Sequence, residues 1–140
     1  MTTGVMDGNL WILMVDDTAV GCLTSNSLSQ SRDTRDTTCK TGTANNNYRT
    51  FLPSFISGTI SFEGLHAEDE SNESSYEIET KFKNGTLVNW KIGSTVTGDK
   101  YYSGSGYFTQ LDLKGGSAGE NVTYSGSIQI SGAVTQETNS

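Results

Sequence analysis

Few residues in this 140-residue chain can do chemistry: one histidine, His66, two cysteines, Cys22 and Cys39, and 16 acidic side chains. A Ser-His-Asp or Cys-His relay would have to run through His66. No Gly-x-Ser-x-Gly elbow accompanies it, and its acidic, polar neighbours read as a solvated loop. Zinc and redox centres need clustered Cys and His, and the two cysteines match no such spacing. Glu68-Asp69-Glu70 offers hard oxygens without the alternating Asp spacing that wraps a calcium ion. Gly104-Ser105-Gly106 lacks both the third glycine of a dinucleotide site and a following Lys-Ser/Thr. Paired carboxylates for glycoside hydrolysis depend on the fold, and nothing in the sequence points to them. The expectation is a non-enzyme with no catalytic residue, cofactor or metal.

Composition says what kind of element must position the remaining residues. Apolar residues make up 33%, Ser and Thr about a quarter, and Gly 16 positions against a single Pro. That mixture is poor in helix formers and rich in β-branched and turn residues, so one β-rich domain is expected. Nine basic against 16 acidic residues gives a net charge of −7. Holding DNA through its phosphates needs a basic face, so tight nucleic-acid binding is not expected, and an acidic surface that avoids DNA fits the balance. The longest apolar run, Leu10 to Val15, is too short for a membrane span, and the expectation is a chain with neither a secretory leader nor a span. Both cysteines are therefore expected as free thiols in a cytosol.

Along the chain, residues 1–8 read as an N-terminal arm, and residues 9–15 as a strand apolar on both faces. Asp16-Asp17-Thr18 supplies a hairpin turn, followed by a polar strand from Thr18 to Gln30 with Val20, Cys22 and Leu28 on one face. From 31 to 52 the period vanishes. This long loop carries Arg32, Asp33, Arg35, Asp36, Lys40, Tyr48 and Arg49, and reads as a contact arm or a surface loop. Alternation returns over Ser54–Glu63, where Ile56, Gly58, Ile60 and Phe62 share a face. Further strands follow at Thr86–Gly93, at Tyr101–Lys114 with Tyr107, Leu111 and Leu113 on one face, and from Val122 to Val134. Residues 135–140 read as a polar tail. Six or seven strands and at most one helix describe a sandwich or barrel. Residues 72–83 fit two readings. Tyr76, Ile78, Thr80 and Phe82 alternate as a strand before an Asn84-Gly85 hairpin signal, yet acids ahead of Lys81 and Lys83 suit a helix that stops at glycine.

The order of these segments resembles the major tail protein (tail tube protein) family of long-tailed bacteriophages. The resemblance rests on Gly4-x-Met6-x-Gly8-x-Leu10, on Ile12 to Asp17, and on Val20-Gly21-Cys22-Leu23-Thr24-Ser25. It continues through Leu28-Ser29-x-Ser31-Arg32-Asp33, Asp36-Thr37-Thr38-Cys39-Lys40, Phe51-Leu52-Pro53-Ser54 and Ser57 to Leu65, and ends on Gly119 to Gly132. It covers about residues 4–134, and its specificity lies in order and spacing, since each piece is small and polar.

The resemblance implies a mainly β, sandwich-like tail tube fold with a short helix near 72–83. It implies a structural virion protein whose hexameric rings stack into a tube for genome ejection, assembled in the bacterial cytoplasm. Its partners would be itself, the tail terminator, baseplate or tail-tip proteins and the tape-measure protein, with DNA passing through unbound. Arg32, Asp33, Arg35, Asp36, Lys40, Tyr48 and Arg49 would then make contacts between subunits or rings. Six copies of a −7 chain would carry about −42, which would let DNA slide, or simply keep the subunit soluble. The polar faces of Ser54–Glu63, Thr86–Gly93 and the last strand are candidates for the lumen. The alternative is a monomeric β-sandwich that binds carbohydrate or a surface through Trp11, Trp90, Tyr101, Tyr102 or Tyr124.

Overall fold

The computed structural model describes residues 3–21, 23–38, 48–66 and 75–139. Cys22, Cys39, Lys40 and the acidic Glu68, Asp69, Glu70 and Glu73 lie outside them. Eight strands are seen: β1 (Ile12–Val15), β2 (Thr18–Ala19), β3 (Leu23–Asp36), β4 (Phe51–Leu65), β5 (Val88–Gly93), β6 (Lys100–Lys114), β7 (Thr123–Ile130) and β8 (Thr135–Thr138). One helix, α1 (Ser75–Asn84), separates β4 from β5, and a 3-10 turn at Gly8–Leu10 precedes β1. The strands form one antiparallel sheet in the order β2-β1-β5-β6-β7-β4-β3, with β8 also on β6.

The sheet curls until its two ends share a core. Leu13 and Val15 of β1, Trp90 and Ile92 of β5, Ile60 and Phe62 of β4 and Ile128 of β7 bury together. Phe62 meets Phe108 edge-on at 6.1 Å and Tyr124 at 6.2 Å. Tyr124 donates its hydroxyl proton to the Gly21 carbonyl, tying β7 to the crossing that leads into β3. At Gly126 there is no room for a Cβ, which would come within 2.5 Å of the Gln110 carbonyl and 2.8 Å of the Phe62 ring.

Asp16 and Asp17 form the β1–β2 turn with φ of 50° and 66°, the left-handed region that Asp tolerates. The expected single strand over 18–30 is in fact two. The chain pairs with β1 at Thr18–Ala19, crosses through buried Val20 and Gly21, and restarts as β3 against β4. Alternation persists through the crossing, so sequence pattern runs the two strands together.

Residues 75–84 are helical, as the resemblance implied. Asn84-Gly85 serves as a helix stop: Gly85 has φ 63°, its N–H reaches the Phe82 carbonyl, and the Thr86 N–H reaches the Lys81 carbonyl. A hairpin turn and a helix cap both need a positive φ, which is why this dipeptide fits either reading. Ile78 enters the core, and Lys83 pairs with Glu79 at 2.9 Å.

In β6 a bulge between Phe108 and Gln110 shifts the face. Phe108 is buried and Tyr107 exposed, so Tyr107 does not share the face of Leu111 and Leu113 as expected. The expected tail at 135–140 contains β8, whose Thr135–Thr138 pair with Ser103–Lys100. All four side chains face water, so no apolar alternation marked it.

Candidate assembly surfaces

In the span from 31 to 52, the described residues include the end of β3 and the start of β4, which make a β-arm where a loop was expected, while 39–47 lie outside the described residues. β3 runs on through Asp36 and β4 begins at Phe51, with Arg32 opposite Ile56, Thr34 opposite Pro53, Arg35 opposite Leu52 and Asp36 opposite Phe51. A bulge between Arg32 and Thr34 places Asp33 opposite the extra β4 residue. Past the ladder, the Thr37 N–H donates to the Thr50 carbonyl, and Arg49 meets Asp36 at 3.3 Å. The side-chain and backbone hydrogen bonds from Thr38, helped by Arg49, hold the Asp36 carboxyl below its ordinary value. Tyr48 is 75% exposed. The arm thus gathers Arg32, Asp33, Arg35, Asp36, Tyr48 and Arg49 within one hairpin, while Lys40 lies outside the described residues.

The arm stands clear because β4 pairs with β7 only from Thr59 onward. Among the described residues its apolar side chains are therefore left exposed: Phe55 is 83% exposed, Ile56 56%, Phe51 52% and Leu52 49%. The sequence reading places Phe51 and Leu52 at the end of the contact loop and Ile56 in a core-facing row, and passes over Phe55. A contiguous apolar patch next to charge is the usual mark of an interface.

A second surface runs across β3, β4, β7 and β6. Register aligns Ser25, Glu63, Ser125 and Asp112 in one transverse row, then Ser27, Ser61, Ser127 and Gln110, then Ser29, Thr59, Gln129 and Tyr107. Ser31 faces Ser57 in the next row at 3.4 Å between hydroxyls. The first two rows line a shallow polar trough of about 360 Å³. Small hydroxyls and amides dominate it, with Glu63 and Asp112 its two carboxylates. Asp112 accepts a hydrogen bond from the Gln110 amide at 2.7 Å. Of the three strand faces read as lumen candidates, those of 54–63 and the last strand lie together here. The third continues the same sheet face beyond Tyr107, with Asn89 opposite Ser105 and Lys91 opposite Ser103, where Lys91 pairs with Asp17 at 3.3 Å and sits over the Tyr101 ring.

His66 packs edge-on against Tyr76 at 5.2 Å, with its backbone N–H on the Val122 carbonyl. Ser94 and Asp99 are buried together, the Ser94 hydroxyl donating to the carboxylate at 2.8 Å, and Asn139 closes over them through the Ser94 carbonyl. Among the described residues no group of three or more His, Cys, Asp or Glu is placed to hold a metal ion, and no helix is long and apolar enough to cross a membrane.

Solved structures share this architecture. The chain is similar to a component of the virion of a native gene transfer agent particle, with TM-score 0.78, 16% identity, and 96% of this chain and 100% of that chain covered. It is similar to the tail of an empty gene transfer agent particle refined with C6 symmetry, with TM-score 0.76, 17% identity, and 94% and 98% covered. It is also similar to the SPP1 tail tube, with TM-score 0.69, 13% identity, and 91% and 77% covered. No curated protein matches the sequence. The model of the phage tail tube protein family matches residues 7–136, from just before the 3-10 turn to the middle of β8. With nearly the whole chain matched, a mainly β fold bearing one short helix, and a free arm beside a polar strand face, this protein belongs to the phage tail tube protein family and is a structural, tube-forming protein.

Proposed function

We propose that six copies close a ring, that rings stack into a tail tube, and that the polar rows on β3, β4, β7 and β6 line its lumen as a conduit for DNA. The observation that carries this reading is the composition of those rows. A wall that passes DNA must offer neither cations to bind phosphate nor apolar side chains to grip bases. Ser25, Ser27, Ser61, Ser125 and Ser127, with Glu63 and Asp112, meet that requirement. Among the described residues β3 is the last strand of the sheet, and an outer edge of 14 residues with no described neighbour is a template for another strand, which supports ring closure. The C6 symmetry of the similar gene transfer agent tail supports the sixfold count.

In this reading the β3–β4 arm, with Arg32, Asp33, Arg35, Asp36, Lys40, Tyr48 and Arg49, bridges subunits or rings, the mixed charges setting register. The partners are further copies, the tail terminator, the baseplate or tail tip and the tape-measure protein, met in the host cytoplasm. The chain carries out no reaction, a reading the structural family supports. Negative-stain microscopy of concentrated protein tests the assembly. Sixfold rings or tubes about a hundred ångströms across are expected for six domains of this size. A preparation that stays monomeric in every buffer would overturn the proposal.

A further inference from the structure

A small apolar groove opens where the arm parts from the sheet. Strands β7 and β8 lie along one edge of β6, with Ile130 opposite Gly106 and Thr135 opposite Ser103. Residues 131–134 bow out between them, around Gly132 at φ 98°. On the other side β4 leaves β7 at Thr59, and the Gln129 amide donates to the Gly58 carbonyl at the apex of the fork. The groove is lined by Ile56 and Gly58 from the arm, by Ile130 at the end of β7 and by Ala133 and Val134 from the bowed segment, with the polar Gln30 and Ser57 completing its walls. Gly58 matters here, because a Cβ would lie 2.8 Å from the Ile130 side chain and close the floor.

The volume, about 260 Å³, falls below the ~300–1,000 Å³ of small-molecule sites. It suits one inserted side chain. We propose that the groove of one copy receives Phe55 from the arm of a second copy. This rests on the tube-forming reading for its occupant and goes beyond it in naming the contact.

Three observations point to a second copy as the partner. Phe55 is the most exposed large apolar side chain of the arm, at 83%. Phe55 lies at the bulge opposite Asp33 and does not line the groove of its own chain, whereas Ile56, opposite Arg32, does. Knob and hole are therefore separate features of one arm, which suits a head-to-tail repeat over a two-fold pair. Finally, Arg32, Arg35 and Arg49 are the only arginines in a chain of net charge −7. The arm is thus drawn to the acidic remainder of another copy.

The test replaces Phe55 with the photoreactive p-benzoylphenylalanine and mixes isotopically light and heavy subunits. Assembled protein is irradiated, and mixed light–heavy cross-linked peptides are mapped. Cross-links from position 55 to residues 56–58 or 130–134 of another copy are expected. As a second arm, Ala133→Trp fills the groove. It is expected to keep the circular dichroism and melting temperature of the parent while raising the concentration at which tubes appear by about ten- to thirty-fold, the effect of losing an interface anchor. Tubes that cross-link position 55 elsewhere, or that grow normally with the groove filled, would overturn this contact and leave the tube reading standing. Monomers alone, with no intermolecular cross-link, would overturn both.

Discussion

At the scale of single residues, Asp16 carries more of the fold than its place in a short turn suggests. Its carboxylate accepts the Asn89 N–H at 3.0 Å and meets the Lys81 ammonium at 3.1 Å, joining turn, β5 and helix. Burial works to raise this carboxyl, but the Asn89 and Lys81 contacts outweigh it and hold the group below its ordinary value. A carboxylate with a lowered native pKa stabilises above its unfolded pKa, and that stability is lost as pH falls through the native pKa. Asp16→Asn keeps the turn preference and loses the charge. It should cost less than about 1 kcal/mol at neutral pH, the pair being partly exposed, and the difference from the parent should vanish in acid. Urea titrations at both pH values check this. Gly126→Ala is the harsher change. With backbone on one side of the new Cβ and Phe62 on the other, a loss of about 1–3 kcal/mol is expected in the same titrations.

Among the elements, the arm and β8 have one thing in common: neither has a face packed on the core. The exposed Arg49–Asp36 pair contributes at most about 1 kcal/mol to the monomer. Arg35→Glu with Arg49→Glu should therefore leave the melting temperature nearly unchanged while impairing tube growth, read by scattering and microscopy. Unchanged growth would remove the arm from assembly. Neither strand was legible from periodicity, because period-2 patterning records a boundary between core and water, and here both faces are wet. The helix was legible only through the family resemblance, since Asn84-Gly85 serves hairpin and helix cap alike. By contrast the stretches around Gly58–Glu63 and Thr123–Ile130 were plain, because one face of each packs on the core.

For the whole molecule, the polar rows exist only because four strands are in register. Glu63 and Asp112 are 49 positions apart in the chain, yet they flank Ser125 in one row. Replacing both by Lys should leave rings intact and convert a wall that repels phosphate into one that holds it. Tubes of the double variant should co-sediment labelled DNA at low salt and release it steeply as salt rises, while parent tubes retain none. Equal behaviour of the two would place this face away from the lumen.

Composition, charge and the alternating segments were enough to specify a β-rich, acidic chain without clustered chemistry, and the order of segments was enough to suggest its family. Those properties are local or additive along the chain. Which polar faces merge into one surface, where the arm leaves the sheet, and that a groove opens beside Ile56 were decided by strand pairing and by the bulges that shift it. Such features join residues far apart in sequence, through hydrogen bonds made by every backbone alike, so side-chain patterning holds no record of them.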